Sequence, residues 1–202
     1  MFRYLTTYIN MPWLFKSDMV RHMATVDALF TAEECQQIID LGRSKDKIQA
    51  QVSVNNQNID VESVRKSQIA WVNVDEESKW IYQRIADAVI QTNQRYFNFD
   101  LHGFIDDLQF TEYTAPDNNY DLHVDTIYGG ITRKLSVVLQ LTNPGLYQGG
   151  NLELHVGTVP QTMSKQQGTL IVFPSYVLHK VTPVTHGIRH SLVGWVSGPQ
   201  FK

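Results

Sequence analysis

The sequence predicts an α+β chain, mainly β, in which N-terminal helices pack on one face of a sandwich or barrel of strands. Three observations predict it. Residues 27–100 carry apolar residues near the 3.6-residue helical period, residues 107–198 carry short apolar or alternating runs, and turn residues punctuate those runs at even spacing. The 202 residues suit one domain, because a single core grows to about 250 residues before chains split. Residues 1–202 therefore read as one domain, with a helical part at about 27–100 and a β core at about 107–198.

The first helix is expected from Thr31 to Leu41. Thr31 and Glu34 make a capping box, Cys35, Ile38 and Ile39 give an apolar face, and Gly42 reads as the C-terminal stop. A second helix is expected from Asp75 to about Tyr96, with Ile81, Ile85, Ala88, Val89 and Tyr96 on one side. Between them, Gln49 to Ser67 is rich in Asn, Gln and Ser, and the alternation at Val52 and Val54 suggests a strand beside a loop. Strands are then expected at Leu108–Tyr113, Leu135–Leu141, Asn151–Val156, Thr169–Phe173 and Ser191–Val196. The punctuation between them is Ala115-Pro116-Asp117-Asn118-Asn119, Gly129-Gly130, Asn143-Pro144-Gly145, Gly149-Gly150 and Phe173-Pro174.

Composition narrows the function. Apolar residues make up 43% and charged residues 18%, the proportions of a soluble globular protein. A net charge of -3 with no long basic run argues against nucleic acid as a partner. The single cysteine, Cys35, allows no internal disulfide and fits a reducing compartment. The opening Met1–Asn10 has no signal-peptide core, and no stretch approaches the roughly 20 apolar residues of a membrane span. The expected setting is cytoplasmic, with no membrane partner.

The chemistry lies in His123-Val124-Asp125. Residues two apart on a strand point to the same face, so an imidazole and a carboxylate converge on one ion. His179 follows an apolar run from which a neighbouring strand can deliver a third ligand. Two His and one carboxylate form a facial triad, which leaves three positions on an octahedral iron(II) for a bidentate cosubstrate and O2. A His-x-Asp triplet by itself occurs by chance in many proteins. The other histidines, His22, His102, His155, His186 and His190, read as surface or satisfied core residues. Ten residues after His179 comes Arg189, followed by Ser191. The polar stretch Val181–Gly187 reads as a hairpin connection, which would set Arg189 beside His179 on adjacent strands. A guanidinium binds a carboxylate bidentately and a Ser hydroxyl adds one hydrogen bond. Alone, Arg189 reads as half of a surface ion pair. Together with the triad it reads as the anchor for the distal carboxylate of a 2-oxo acid.

These residues resemble the prolyl 4-hydroxylase-type branch of the 2-oxoglutarate/iron(II) oxygenases, over roughly Leu29 to Trp195. The family pattern Tyr-x6-Tyr-x2-His-x-Asp is matched by Tyr113, Tyr120, His123 and Asp125, and the later His, basic residue and Trp by His179, Arg189 and Trp195. Leu29–Cys35 resembles the entry helix, Arg65-Lys66-Ser67 with Trp71 the early Arg-x-Ser strand, and Gly149–Leu154 the Gly-Gly-x-Leu turn. The chain departs from the pattern in having Pro116 and Asp117 where a Gly is usual and Gln140 where some relatives carry a Tyr.

The resemblance implies a double-stranded β-helix (jelly roll) with iron at its open mouth, held by His123, Asp125 and His179. It implies Tyr113 lining the cosubstrate pocket with Arg189 and Ser191, and Arg65, Tyr120 and Trp195 on the substrate side. It implies Fe(II), 2-oxoglutarate and O2 as cofactor and cosubstrates, with ascorbate as a stimulant. The carboxylate ligand is present, so hydroxylation is the expected outcome, with decarboxylation of the oxo acid to succinate. Val54–Arg65 and Thr126–Arg133 are candidate lids. Three readings follow: hydroxylation of a proline-containing peptide or protein, the same chemistry on a free amino acid or another side chain, and a non-catalytic metal-binding jelly roll.

Overall fold

The computed structural model describes residues 21–50, 52–54, 57–59, 64–126 and 130–201. It is mainly β, with two larger sheets and few helices. The chain begins with β1 (Ala24–Val26), α1 (Ala32–Ser44), β2 (Ile48–Gln49), β3 (Val52–Val54), β4 (Gln57–Ile59), β5 (Arg65–Lys66), β6 (Gln68–Val72) and α2 (Lys79–Thr92). It continues with β7 (Gly103–Phe104), β8 (Leu108–Thr114), β9 (Asn119–His123), β10 (Arg133–Gln140), β11 (Tyr147–Gly149) and β12 (Leu152–His155). The last strands are β13 (Gln161–Thr162), β14 (Leu170–Pro174), β15 (Leu178–Val181) and β16 (Val184–Ser197).

A nine-stranded sheet runs β1-β14-β10-β16-β8-β6-β2, with β7 and β11 also pairing β16, and a five-stranded sheet runs β13-β12-β15-β9-β5. Period-2 alternation sorts the large sheet's side chains into two apolar layers. Leu108, Phe110, Leu135, Val137, Leu139, Leu192 and Val196 share a core with Ile38 and Ile39 of α1 and Ile81 and Ile85 of α2. On the other face, Val138, Ile171 and Phe173 share a core with Leu152, Leu154 and Val181 of the small sheet. The large sheet is thus the middle layer, with helices on one side and the small sheet on the other.

Several expectations change. The segment 27–100 is not purely helical: β2 and β6 join the large sheet and β5 joins the small one. The capping box is present, since Thr31 Oγ1 accepts from Glu34 N at 3.2 Å and Glu34 Oε2 accepts from Thr31 N at 2.9 Å. Gly42, however, does not stop the helix, which runs on to Ser44. Gly42 is there because a Cβ would lie 2.3 Å from the Phe110 ring, so it lets α1 approach β8 closely. The second helix starts at Lys79 and not at Asp75, whose carboxylate instead accepts from the Glu77 and Ser78 amides.

The hairpin expected over Val181–Gly187 is also not formed. β15 pairs β12 and β9, while β16 pairs β8, β10 and β11, so Thr182 and Pro183 carry the chain from one sheet to the other. Periodicity shows a turn there but not that the flanking strands face each other across a core. Both candidate lids fall partly outside the described residues. Among the described residues no helix is long and apolar enough to cross a membrane.

Candidate metal and anion site

The cleft between the two sheets is built from β8, β10 and β16 on one side and β9 and β15 on the other. β9 ends at His123, and His179 stands directly opposite it on β15. Asp125 lies just past the strand end, its amide donating to Ser175 O at 2.9 Å. His123 Nε2 is 3.7 Å from Asp125 Oδ1, and His179 Nε2 is 3.6 Å from Asp125 Oδ2. The three ligand atoms lie within 4.8 Å of one another.

Each imidazole is oriented by the carbonyl two residues before it in the chain. His123 Nδ1 donates to Asp121 O at 2.7 Å and His179 Nδ1 donates to Val177 O at 2.9 Å. That fixes the tautomer and leaves both Nε2 lone pairs facing the cleft, the arrangement of metal-binding histidines. Burial, followed by the neighbouring His179, pushes the His123 pKa down to about 4, so the ring is neutral at physiological pH as a ligand must be. Burial pushes the Asp125 carboxyl up, but His179, His123 and the Ser136 hydroxyl outweigh it and hold the group below the usual carboxylate range. Two imidazoles with an ionised carboxylate suit a divalent ion such as iron(II).

Arg189 is 1% exposed and lies deeper in the same cleft. Its guanidinium donates to Ser191 Oγ at 3.3 Å and Gln140 Oε1 at 3.0 Å, and sits over the Tyr113 ring at 5.2 Å. Among the described residues it has no carboxylate partner, and its Nε, though buried, makes no hydrogen bond. The expectation of a surface ion pair for Arg189 taken alone is thereby removed. Gly150 passes directly alongside, where a Cβ would meet Arg189 Cδ at 2.9 Å. A buried cation held only by neutral acceptors is costly unless an anion completes it, so this end of the cleft fits a carboxylate.

The opposite wall holds a second buried guanidinium. Arg65 donates to Ser67 Oγ at 3.1 Å and Gln109 Oε1 at 2.7 Å and lies over the Tyr120 ring at 4.5 Å. Tyr120 in turn stacks on His123 at 3.5 Å between ring centres, and burial pushes its phenol up to about 12. Trp195 closes the wall, with Arg133 over its ring at 4.1 Å and its Nε1 without a partner.

The nine residues singled out in the sequence, His123, Asp125, His179, Arg189, Ser191, Tyr113, Arg65, Tyr120 and Trp195, all line this one cleft. Sequence reasoning missed the groups that hold them: Ser136 on Asp125 (2.6 Å), Gln109 on Arg65 and Gln140 on Arg189. A signal was present in β10, where Ser136 interrupts and Gln140 ends the apolar run that begins at Leu135.

Residues 108–197 match the model of the 2OG-Fe(II) oxygenase superfamily. The chain is 30% identical over 156 residues to a PKHD-type hydroxylase of Prochlorococcus marinus, covering 77% of this chain and 64% of that relative. It spans less than two thirds of the length of the curated relatives it matches at 30–39% identity. Among solved structures it is similar to a Pseudomonas putida prolyl-4-hydroxylase, with a TM-score of 0.69 at 23% identity over 89% of this chain and 94% of that one. It is also similar to a Trichoplax adhaerens prolyl hydroxylase in complex with a hypoxia inducible factor oxygen degradation domain peptide fragment. That TM-score is 0.72 at 19% identity, over 88% of this chain and 84% of that one. Residues 108–197 are thus similar to the 2OG-Fe(II) oxygenase superfamily, and the fold is jelly-roll-like, as in prolyl hydroxylases.

Proposed function

We propose that this chain is an iron(II)- and 2-oxoglutarate-dependent dioxygenase that hydroxylates a peptide or protein substrate at proline, on a double-stranded β-helix core braced by α1 and α2. One observation carries the reading. Two histidines with free Nε2 atoms and an ionised Asp share a cleft with a buried guanidinium that lacks an acidic partner among the described residues. A metal-binding jelly roll without catalysis has no need of that second feature. The likeness to PKHD-type hydroxylases and to a prolyl hydroxylase bound to a peptide supports proline as the target.

In this reading His123, Asp125 and His179 hold the metal. Arg189 and Ser191 take the far carboxylate of 2-oxoglutarate, with Tyr113 lining its path. Arg65, Tyr120 and Trp195 face the substrate. When bound, iron(II) with 2-oxoglutarate and O2 supplies the oxidation that hydroxylates a C–H bond and yields succinate and CO2. The chain's own residues position the reactants, and the apolar walls Val138, Leu152, Val181 and Val193 keep water from the deep end of the cleft.

A second reading is favoured by Arg65. Like Arg189, it is a buried guanidinium whose partners among the described residues are neutral acceptors, so it also suits a carboxylate, which a free amino acid would bring. A panel of proline-containing peptides, free proline and other free amino acids, incubated with iron(II), ascorbate and 2-oxoglutarate and scored by mass spectrometry, separates the two. Gain of one oxygen on the peptides is the expected result. Modification of free amino acids alone replaces the first reading with the second.

A further inference from the structure

We infer that Ser136 and Ser175 form a positioning relay that decides which oxygen of Asp125 is offered to the metal; the inference rests on the iron(II) reading above. Both serines are fully buried. Ser136, on β10, places its Oγ 2.6 Å from Asp125 Oδ2 and 3.0 Å from Ser175 Oγ, which belongs to the turn after β14. An ionised carboxylate only accepts hydrogen bonds. Ser136 must therefore direct its one hydroxyl proton to Asp125, and its own oxygen then accepts from Ser175. The direction of both bonds follows from the number of protons available.

Ser175 also ties down the backbone of the same segment. Its carbonyl accepts from the Asp125 and Thr126 amides at 2.9 and 3.1 Å, and its own amide donates to Lys134 O at 3.0 Å. One turn thus fixes where Asp125 sits and, through Ser136, how its carboxylate is rotated. Oδ2 is occupied by a short charge-assisted bond. Each oxygen faces a histidine Nε2, Oδ1 that of His123 at 3.7 Å and Oδ2 that of His179 at 3.6 Å, but Oδ2 also takes the Ser136 hydroxyl, so Oδ1 has the more open face for a metal. A carboxylate without this restraint could turn both oxygens inward and take a position that the cosubstrates need. Ser136 touches no reactant, so its role is to position.

The test is anaerobic iron(II) titration of the whole chain and its variants, with circular dichroism and 2-oxoglutarate affinity at saturating metal measured alongside. Loss of such an outer partner weakens metal binding by about 10–100-fold, and that is expected for Ser136→Ala. Ser175→Ala should fall between parent and Ser136→Ala, because Asp125 keeps its direct bond. Ser136→Thr, which keeps the hydroxyl on a strand that tolerates β-branching, should bind close to the parent. The fold and the 2-oxoglutarate affinity should be unchanged throughout. Iron binding by Ser136→Ala within twofold of the parent overturns the relay while leaving the functional reading intact. Equal weakening in Ser136→Ala and Ser136→Thr also overturns it, since packing and not the hydroxyl would then matter. A parent chain that binds no iron(II) overturns both.

Discussion

The two faces of the large sheet each bury charged side chains, but they complete them differently. On the helix-covered face, Glu112 accepts from Lys47 at 2.9 Å, Arg43 at 3.3 Å and His190 at 3.0 Å. His190 also bonds Thr142 through its ring at 2.9 Å and its amide at 2.8 Å, and stacks on Phe110. No atom of that cluster is among the buried polar atoms left without a partner. On the cleft face, Arg189 Nε and Trp195 Nε1 are left unpaired, and the histidine Nε2 atoms face one another around Asp125. Adjacent residues of one strand, Arg189 and His190, thus end on opposite sides with opposite bookkeeping. Buried polar groups that serve the fold come fully partnered, while those that await a ligand keep open valences. The difference is not one of burial alone, since Glu112 and His190 on one face and Arg189 and Asp125 on the other are all buried.

That contrast can be broken by experiment, most severely at the triad. His123→Ala, Asp125→Ala and His179→Ala should each abolish iron-dependent succinate release while circular dichroism stays at the parent's. Full activity in any one variant removes that residue from the ligand set. On the other face the opposite pattern is expected. Gly42→Ala drives a methyl into the Phe110 ring, and overpacking of this kind costs about 1–3 kcal/mol. Urea unfolding should show that loss, with iron affinity unchanged. An Ala at position 42 that leaves stability intact would mean that α1 can shift away from β8.

Ser191→Ala removes one neutral bond from Arg189 and should cost about 1 kcal/mol, or about fivefold in 2-oxoglutarate affinity, without changing iron binding. An unchanged affinity would mean that Gln140 alone orients the guanidinium. The smallest effect is expected at His190, whose pKa burial lowers against the partial opposition of Glu112. The folded chain holds this ring neutral, so its contribution is complete above the ordinary His range. It is lost as pH falls through that range, because the unfolded chain takes up the proton first. Melting temperature measured from neutral to mildly acidic pH should therefore fall more steeply in the parent than in His190→Gln. Parallel slopes would show that His190 is not buried as a neutral ring.

Much of this contrast was legible in the sequence, for physical reasons. The candidate ligands were legible because His123-x-Asp125, commonplace alone, is joined by His179 after an apolar run and by Arg189-x-Ser191 ten residues further on. The apolar strands were legible from their period. What was hidden depends on contacts distant in sequence. The change of sheet at Thr182-Pro183 reads like any hairpin turn. Gly42 looks like a cap until Phe110 is placed against it. Ser136 and Gln109 read as ordinary polar residues until folding brings Asp125 and Arg65 to them, and Gln140, noted only as a departure from a Tyr, gains its partner when Arg189 is placed against it. His190, read from sequence as a satisfied core or surface histidine, is indeed fully partnered.

The central claim is that the guanidinium of Arg189, without a carboxylate partner among the described residues, is the anchor of a 2-oxo acid beside a triad-bound iron. The most direct measurement is titration of the anaerobic iron(II) chain with 2-oxoglutarate, following the metal-to-ligand absorption band, in the parent and in Arg189→Met. Methionine keeps apolar bulk but removes the charge and every donor. Removing one partner of a buried charge pair costs about 3–5 kcal/mol, so affinity should fall by about 10²–10³-fold or more while iron binding survives. Equal affinity in Arg189→Met and the parent would contradict the account.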